Sequence, residues 1–197
     1  AKRGRKVLVV ERAEKIGKKI LISGGGRCNF TNINTKPENF ISSNPHFCKS
    51  AIARYTPNDF ISLLEKHAIK YHEKKLGQLF CDGPAKQIVD ILLDECNETE
   101  VIVNCQVESI ANEKNFFLKT NRGEFESDSL VIATGGISIP QMGATDFGYK
   151  AAKQFGIRVT KTVPGLVPFT VKEKSFSDLS GISVDSTVTC GDVSFRE

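Results

Sequence analysis

No stretch of this 197-residue chain limits its possible folds as much as Ser23-Gly-Gly-Gly-Arg-Cys-Asn29, where the apolar run Ile20-Leu-Ile22 breaks into three consecutive glycines. Three glycines remove every side chain from a short length of backbone, which can then take positive φ and lie flat against a ligand or another strand. Two uses fit: a surface turn, the commonest role of glycine, or one wall of a crevice for a large, flat or anionic partner. A free-standing phosphate loop is disfavoured, because Gly26 is followed by Arg27-Cys28 and not by the Lys-Ser/Thr pair of a P-loop.

The flanking segments favour the crevice. A helix end capped by Gly4 leads into Lys6–Val10, a strand apolar on both faces that ends in Glu11. Strands of that kind belong to parallel sheets. In a dinucleotide-binding fold the second strand ends in an acid that hydrogen-bonds a ribose, roughly 20 residues beyond the glycine-rich turn after the first strand. Only ten residues precede Glu11 here, so the chain is expected to begin inside a domain that lacks its first strand. Ser129-Leu-Val-Ile-Ala-Thr-Gly-Gly136 repeats the pattern of Lys6–Glu11 and reads as a second buried strand delivering backbone to a crevice, with a plain tight turn as the alternative.

Between these landmarks, 33–57 reads as an irregular excursion. A helix is expected over Pro57–Ala68, capped by Thr56 or Asn58, with Phe60, Leu63, Leu64 and His67 on one face; His67 there reads as a satisfied core residue. A short strand Gln78–Cys81 should lead into a second helix carrying Ala85, Ile88, Val89, Leu92, Leu93 and Cys96. Short strands follow over 101–127, with Asn121-Arg-Gly123 turning a hairpin, then a helix over Asp146–Phe155. The tail suggests strands over Val167–Val171 and Ser186–Val193, the beginning of a β domain.

Six cysteines without a C-x-x-C pair, and three histidines that form no ligand cluster with them, predict free thiols and no structural metal. The net charge of +4 is uneven, since residues 1–27 hold nine Lys/Arg against two Glu. No recognition helix, zinc finger or aromatic-studded basic strand accompanies that excess, so a phosphate-bearing small molecule is the expected partner and no nucleic acid is. No apolar run approaches the roughly 18 residues of a membrane span and no signal peptide is evident, so no membrane contact and a cytoplasmic location are expected. Oligomeric state is not legible.

Glu11-Arg12 at a strand end, Gly17-Lys-Lys19, Ser23-Gly-Gly-Gly-Arg-Cys-Asn29 through Thr31-Asn32, Ala133-Thr-Gly-Gly136, Gly148-Tyr149 and Pro164-Gly-Leu-Val-Pro168 together resemble the bacterial BaiN-like or aminoacetone oxidase-like family of NAD(P)/FAD-dependent oxidoreductases. The resemblance implies an α/β, Rossmann-like FAD-binding domain of the glutathione-reductase type over 1–165, without its first strand, and the start of an inserted antiparallel β domain over 166–197. It also implies that Glu11 holds the adenosine ribose, that Arg12 beside it is a cofactor-binding residue, and that Val107 offers backbone to the adenine. Lys19, Ser23, Gly24, Gly25, Gly26, Arg27 and Asn29 would run beside the pyrophosphate, ribityl chain and flavin ring, with Ala133, Thr134, Gly135 and Gly136 as a second crossing. One departure is Ile157, where relatives tend to carry histidine.

The resemblance implies an FAD-dependent oxidoreductase moving hydride between a small-molecule substrate, or NAD(P)H as donor, and the flavin. A flavin carries its own redox chemistry, so the absence of a recognisable triad or metal motif in the sequence is consistent with it, and no residue stands out as a general base. The alternative is a non-catalytic Rossmann-like module that has lost tight cofactor binding. Without the pyrophosphate turn, whose helix N-terminus would hold the anion, these 197 residues alone are expected to hold flavin poorly.

Overall fold

A computed structural model describes residues 4–165, 174–179, 181–182 and 184–196. The chain divides into two compact units, Ala1–Arg158 and Val159–Glu197, described separately.

The first unit opens with strand β1 (Leu8–Val10), followed by helix α1 (Lys18–Ile22), the glycine turn Ser23–Gly26, and strand β2 (Asn29–Asn32). The polar excursion is less irregular than expected, holding a 3-10 turn at Pro37–Asn39 and helix α2 (Lys49–Arg54). Helix α3 (Pro57–Lys66) begins at a capping box: the Thr56 hydroxyl accepts from the Asp59 amide at 3.2 Å, and the Asp59 carboxylate accepts from the Thr56 amide at 2.6 Å. Pro57, with no amide hydrogen to lose, takes the first helical position. Strands β3 (Tyr71–Glu73) and β4 (Gln78–Cys81) and helix α4 (Lys86–Asp94) follow.

Strand β5 (Glu100–Ile102) returns to lie parallel to β1, with Leu8 opposite Glu100 and Val10 opposite Ile102. A parallel pair separated by so much chain needs a crossover, and the helices supply it. Strands β2, β4 and β3 form an antiparallel sheet in that order. A third sheet is the meander of β6 (Val107–Asn112), β7 (Phe116–Thr120) and β8 (Gly123–Ser127), whose β7–β8 connection is the expected Asn121-Arg122, with Thr120 paired to Gly123. Helix α5 (Phe147–Gln154) docks on it: the Gln154 side chain donates to the Ile110 carbonyl, and Phe155 meets Phe116 edge-on at 5.9 Å.

The core lies between α3, α4 and the β2–β4–β3 sheet. Leu64, Cys28, Cys81, Ala85, Ile88 and Ile91 are buried together, flanked by Ile20, Phe30, Phe60 and Tyr71. His67, half-buried at the end of α3, bonds Glu95 at 3.0 Å, and Lys66 reaches the same carboxylate at 2.6 Å. That carboxylate ties the C-terminal end of α3 to that of α4.

One expected strand is absent. Residues 129–135 take no sheet pairing, and Val131 and Ile132 are 83% and 38% exposed. A strand apolar on both faces needs a hydrogen-bonded neighbour, and among the described residues none runs beside it. β1 shows the same want of cover on a smaller scale, since its central Val9 is 41% exposed.

In the second unit, a 3-10 segment spans Lys174–Leu179, and β9 (Thr187–Cys190) pairs antiparallel with β10 (Val193–Arg196). The expected single strand over 186–193 is thus a hairpin, broken where Gly191 takes φ 58°. The expected strand over 167–171 lies outside the described residues.

Candidate functional site

Glycine 17 sets the position of α1. Its φ is 69°, and a Cβ there would stand 2.7 Å from Val89 Cγ2, so only glycine lets α1 close on α4. α1 ends at Ile22, and the chain turns through Gly24, Gly25 and Gly26 with φ of 56°, 66° and 87°. The turn is pinned from several directions. Ser23 donates its hydroxyl to the Ile20 carbonyl at 2.8 Å. The Cys28 amide donates back to Ser23 O at 3.1 Å, while Cys81 N and Ala85 N donate to Arg27 O and Gly26 O at 3.0 and 2.7 Å.

The two faces of this turn differ. On the inner face a Cβ at Gly24 would lie 2.6 Å from the Asn29 amide nitrogen and 2.8 Å from Phe80 Cε1, and Cys28 beyond it is buried. On the outer face a Cβ at Gly25 or Gly26 would meet nothing within 4 Å. The result is a rigidly held strip of bare backbone open to a ligand, with the Arg27 side chain exposed and unpaired among the described residues. That is a surface against which a flat, anionic group such as FAD would fit, with the Arg27 cation suited to its charge.

The other predicted site residues fall into two groups. Lys19 on α1 donates to the Ser138 hydroxyl at 2.5 Å, which holds the 133–138 stretch beside the helix that leads into the glycine turn. Thr134 and Ile132 rest on α5 where a Cβ at Gly148 would meet them, at 2.9 and 3.4 Å, and Gly136 faces the Tyr149 hydroxyl. So Ala133, Thr134, Gly135 and Gly136 form a loop and not a strand end, with Thr134 and Gly136 against α5 and Lys19 reaching the loop at Ser138.

The second group surrounds Glu11. Its amide donates to Ile102 O at 2.8 Å, its carbonyl accepts from Cys105 N at 2.9 Å, and its carboxylate accepts from Ala13 N at 2.7 Å. The Cys105 link brings Glu11 close to Val107, the first residue of β6. One carboxylate oxygen is thus committed to holding the 11–13 turn. Arg12 is exposed with no partner among the described residues. No hydrogen bond joins this group to the glycine turn among the described residues.

A third group escaped the sequence reading. Asn29, Phe80 and His72 lie opposite one another across β2, β4 and β3 and therefore share a sheet face. The His72 ring stacks on Phe80 with centroids 6.3 Å apart, Lys74 Nζ sits 5.3 Å from the Phe80 centroid, and His72 Nδ1 is 2.7 Å from Asp82 Oδ1. Alternation of His72 with Lys74 and of Gln78 with Phe80 was the available signal, but it becomes visible only once β3 and β4 are in register.

Neighbouring Cys81 is fully buried. Burial, helped by Cys28 and Asp82, pushes its thiol up to about 11. Among the described residues no group of His, Cys, Asp or Glu is placed to hold a metal ion, and no helix is long and apolar enough to cross a membrane.

A parallel β1–β5 pair crossed over by helices, an acid at the first strand's end and a glycine turn after the next helix are elements of a Rossmann-type α/β domain. The family described as HI0933-like protein Rossmann domain matches residues 1–197, and the chain belongs to that family, within the FAD-binding oxidoreductase superfamily. It is 51% identical over 94% of its length to a ribosomal RNA dihydrouridine synthase of Escherichia coli, and 50% identical over 97% to one of Haemophilus influenzae. A 3-dehydro-bile acid delta(4,6)-reductase of Clostridium scindens is 25% identical over 92%. The chain covers 48%, 50% and 45% of these relatives, about half the length of each. The resemblance to flavoproteins thus holds at the level of the superfamily, while the relatives at 50–51% identity carry a different name from the one the motifs suggested.

Proposed function

We propose that this protein is an FAD-dependent reductase that converts uridine in ribosomal RNA to dihydrouridine. The observation that carries the reading is the 51% identity, over 94% of the chain, to a relative named for that activity. The bare backbone of Gly25 and Gly26 beside Arg27 supports a flavin on the glycine turn. The small-molecule substrate expected from the sequence gives way in this proposal to an RNA base, and exposed Arg12, Arg27 and Lys74 are cations available to phosphates.

When bound, FAD would supply the hydride chemistry, with a nicotinamide cofactor as the proposed reductant. Of this chain's residues, Ser23–Gly26 and Arg27 would hold it along its length, Glu11 and Val107 would serve the ribose and adenine, and 133–136 would form a second crossing. Reduction of the uracil C5=C6 bond consumes that hydride and one proton. The test uses the protein at full length with NADPH and ribosomal RNA from cells deleted for its gene. Dihydrouridine should appear, and should fail to appear with the Gly25→Val protein. A protein that purifies without flavin and cannot be loaded with FAD would sink the proposal in favour of a non-catalytic module. A flavoprotein that leaves the RNA unchanged would retain the oxidoreductase and remove the substrate.

A further inference from the structure

We propose that the pocket between Phe40 and Leu76 is a docking site for an unpaired base of the RNA substrate, a base other than the one that is reduced. The inference rests on the reading of that substrate as ribosomal RNA.

The pocket stands where two loops leave the same end of the β2–β4 pair. Asn32 closes β2, Asn34, Thr35, Asn39 and Phe40 follow it, and Leu76 comes from the connection into β4; together they line a cavity of about 420 Å³. That end is opposite the one where Asn29 and Phe80 adjoin the glycine turn, so an occupant needs no contact with a flavin there.

The two loops are fastened to each other. Asn32 Nδ2 donates to the Leu76 carbonyl at 3.0 Å, Ile33 N donates to Gly77 O at 2.9 Å, and Asn34 N donates to Asn32 Oδ1 at 2.8 Å. Gly77 is buried, and a Cβ on it would collide with Asn34 Nδ2 and stand 2.8 Å from Asn32 Oδ1, so the loops close as they do only on glycine. A cavity held in this way is formed before any ligand arrives, which lowers the ordering cost of binding.

Leu76 is what a plain loop would not carry. Its φ is 53°, a left-handed conformation that a bulky residue adopts at a cost, and its side chain is 67% exposed. Phe40, 44% exposed, is the other apolar wall. A flat ring lying between them would cover both, as unpaired bases are covered in RNA-binding proteins.

The amides between these walls are only partly used. Asn39 Oδ1 accepts from Lys36 N at 2.7 Å, and Thr35 Oγ1 donates to Asn32 O at 2.7 Å. Asn39 Nδ2 remains as a donor and Asn34 Oδ1 as an acceptor, neither with a partner among the described residues. A base edge presents both donors and acceptors, whereas an apolar occupant would leave these groups unpaired at a cost. Exposed Lys36 and Lys75 flank the loops as contacts for phosphate. Of the nearby carboxylates, Glu73 accepts from the Gly77 amide at 2.8 Å and Glu38 is exposed.

The test uses the full-length protein and ribosomal RNA from cells deleted for its gene. Leu76→Gly separates binding from folding. Relief of the left-handed backbone offsets the extra freedom of the unfolded chain, so this variant should resist urea about as well as the wild type while binding the RNA about five-fold more weakly. Phe40→Ala should weaken RNA binding about five-fold or more and raise KM for the RNA with kcat unchanged. Its FAD affinity and its rate of flavin reduction by NADPH should match the wild type. Wild-type RNA affinity in both variants, as expected if another part of the full-length protein covers the pocket, overturns the inference and spares the reductase. A wild-type protein that neither binds nor modifies the RNA overturns both.

Discussion

Replacing Gly24 with alanine should destabilise the protein far more than the same change one residue later. Both positions have left-handed backbone, φ 56° and 66°, which costs an ordinary residue about 1–2 kcal/mol. The difference lies in what the new methyl group meets. At Gly24 it would stand 2.6 Å from the Asn29 amide nitrogen and 2.8 Å from a Phe80 ring carbon, whereas at Gly25 nothing lies within 4 Å. The Asn29 nitrogen is backbone at the start of β2, opposite Phe80 in the ladder, and can retreat only by loosening that pairing. Crowding of this kind in a packed site adds about 1–3 kcal/mol. Gly24→Ala should therefore lose about 2–5 kcal/mol and Gly25→Ala about 1–2 kcal/mol, read as shifts in the urea midpoint at constant slope. Equal losses would show that the glycine turn is not packed against Phe80, and the inner and outer faces assigned to it would be wrong.

Removing the α3 cap with Thr56→Ala should cost about 1 kcal/mol in urea unfolding. The hydrogen bonds from Thr56 hold the Asp59 carboxyl below its ordinary value, so its contribution is present above the unfolded-state pKa and is lost as pH falls through the folded one; Thr56→Ala should flatten that acid limb. Leu64 is fully buried in the core, and Leu64→Ala should cost about 2–5 kcal/mol. At pH 8 iodoacetamide should label exposed Cys190 and spare Cys81, whose thiol lies near 11, as peptide mass spectrometry would show; rapid labelling of Cys81 in the folded protein would contradict its burial.

What could be read from the sequence was chiefly what is locally encoded. Thr56-Pro57 with Asp59 three residues after the cap specifies a helix start by itself, and Asn121-Arg122 specifies its hairpin. Leu130-Val-Ile-Ala133 has the composition of a buried strand, but a strand exists only beside a partner, and no described strand pairs with it. Composition cannot supply that. β2, with the polar sequence Asn29-Phe-Thr-Asn32, is the opposite case: its pairing with β4, including a register shift between Asn29 and Thr31, makes it a strand.

The site shows the same division. The glycine turn announced itself because three adjacent residues carry its conformational demand, and its α1 tether to Ser138 was anticipated only as a neighbourhood. His72 and Asp82 lie ten residues apart and meet because β3 and β4 pair in register. Glu11 was legible as an acid at a strand end, while its second task, accepting from Ala13 N, depends on the fold of the turn that follows.

We propose that the outer backbone of Gly25 and Gly26 forms a wall of the FAD site. It is tested most directly by titrating FAD, through its fluorescence, into the full-length protein and its Gly25→Val variant, with urea unfolding confirming that both are folded. The account predicts that the wild type binds and that the variant, folded, binds at least ten-fold more weakly, because the new side chain occupies space that only solvent or a ligand fills. A folded Gly25→Val protein with unchanged FAD affinity would contradict it.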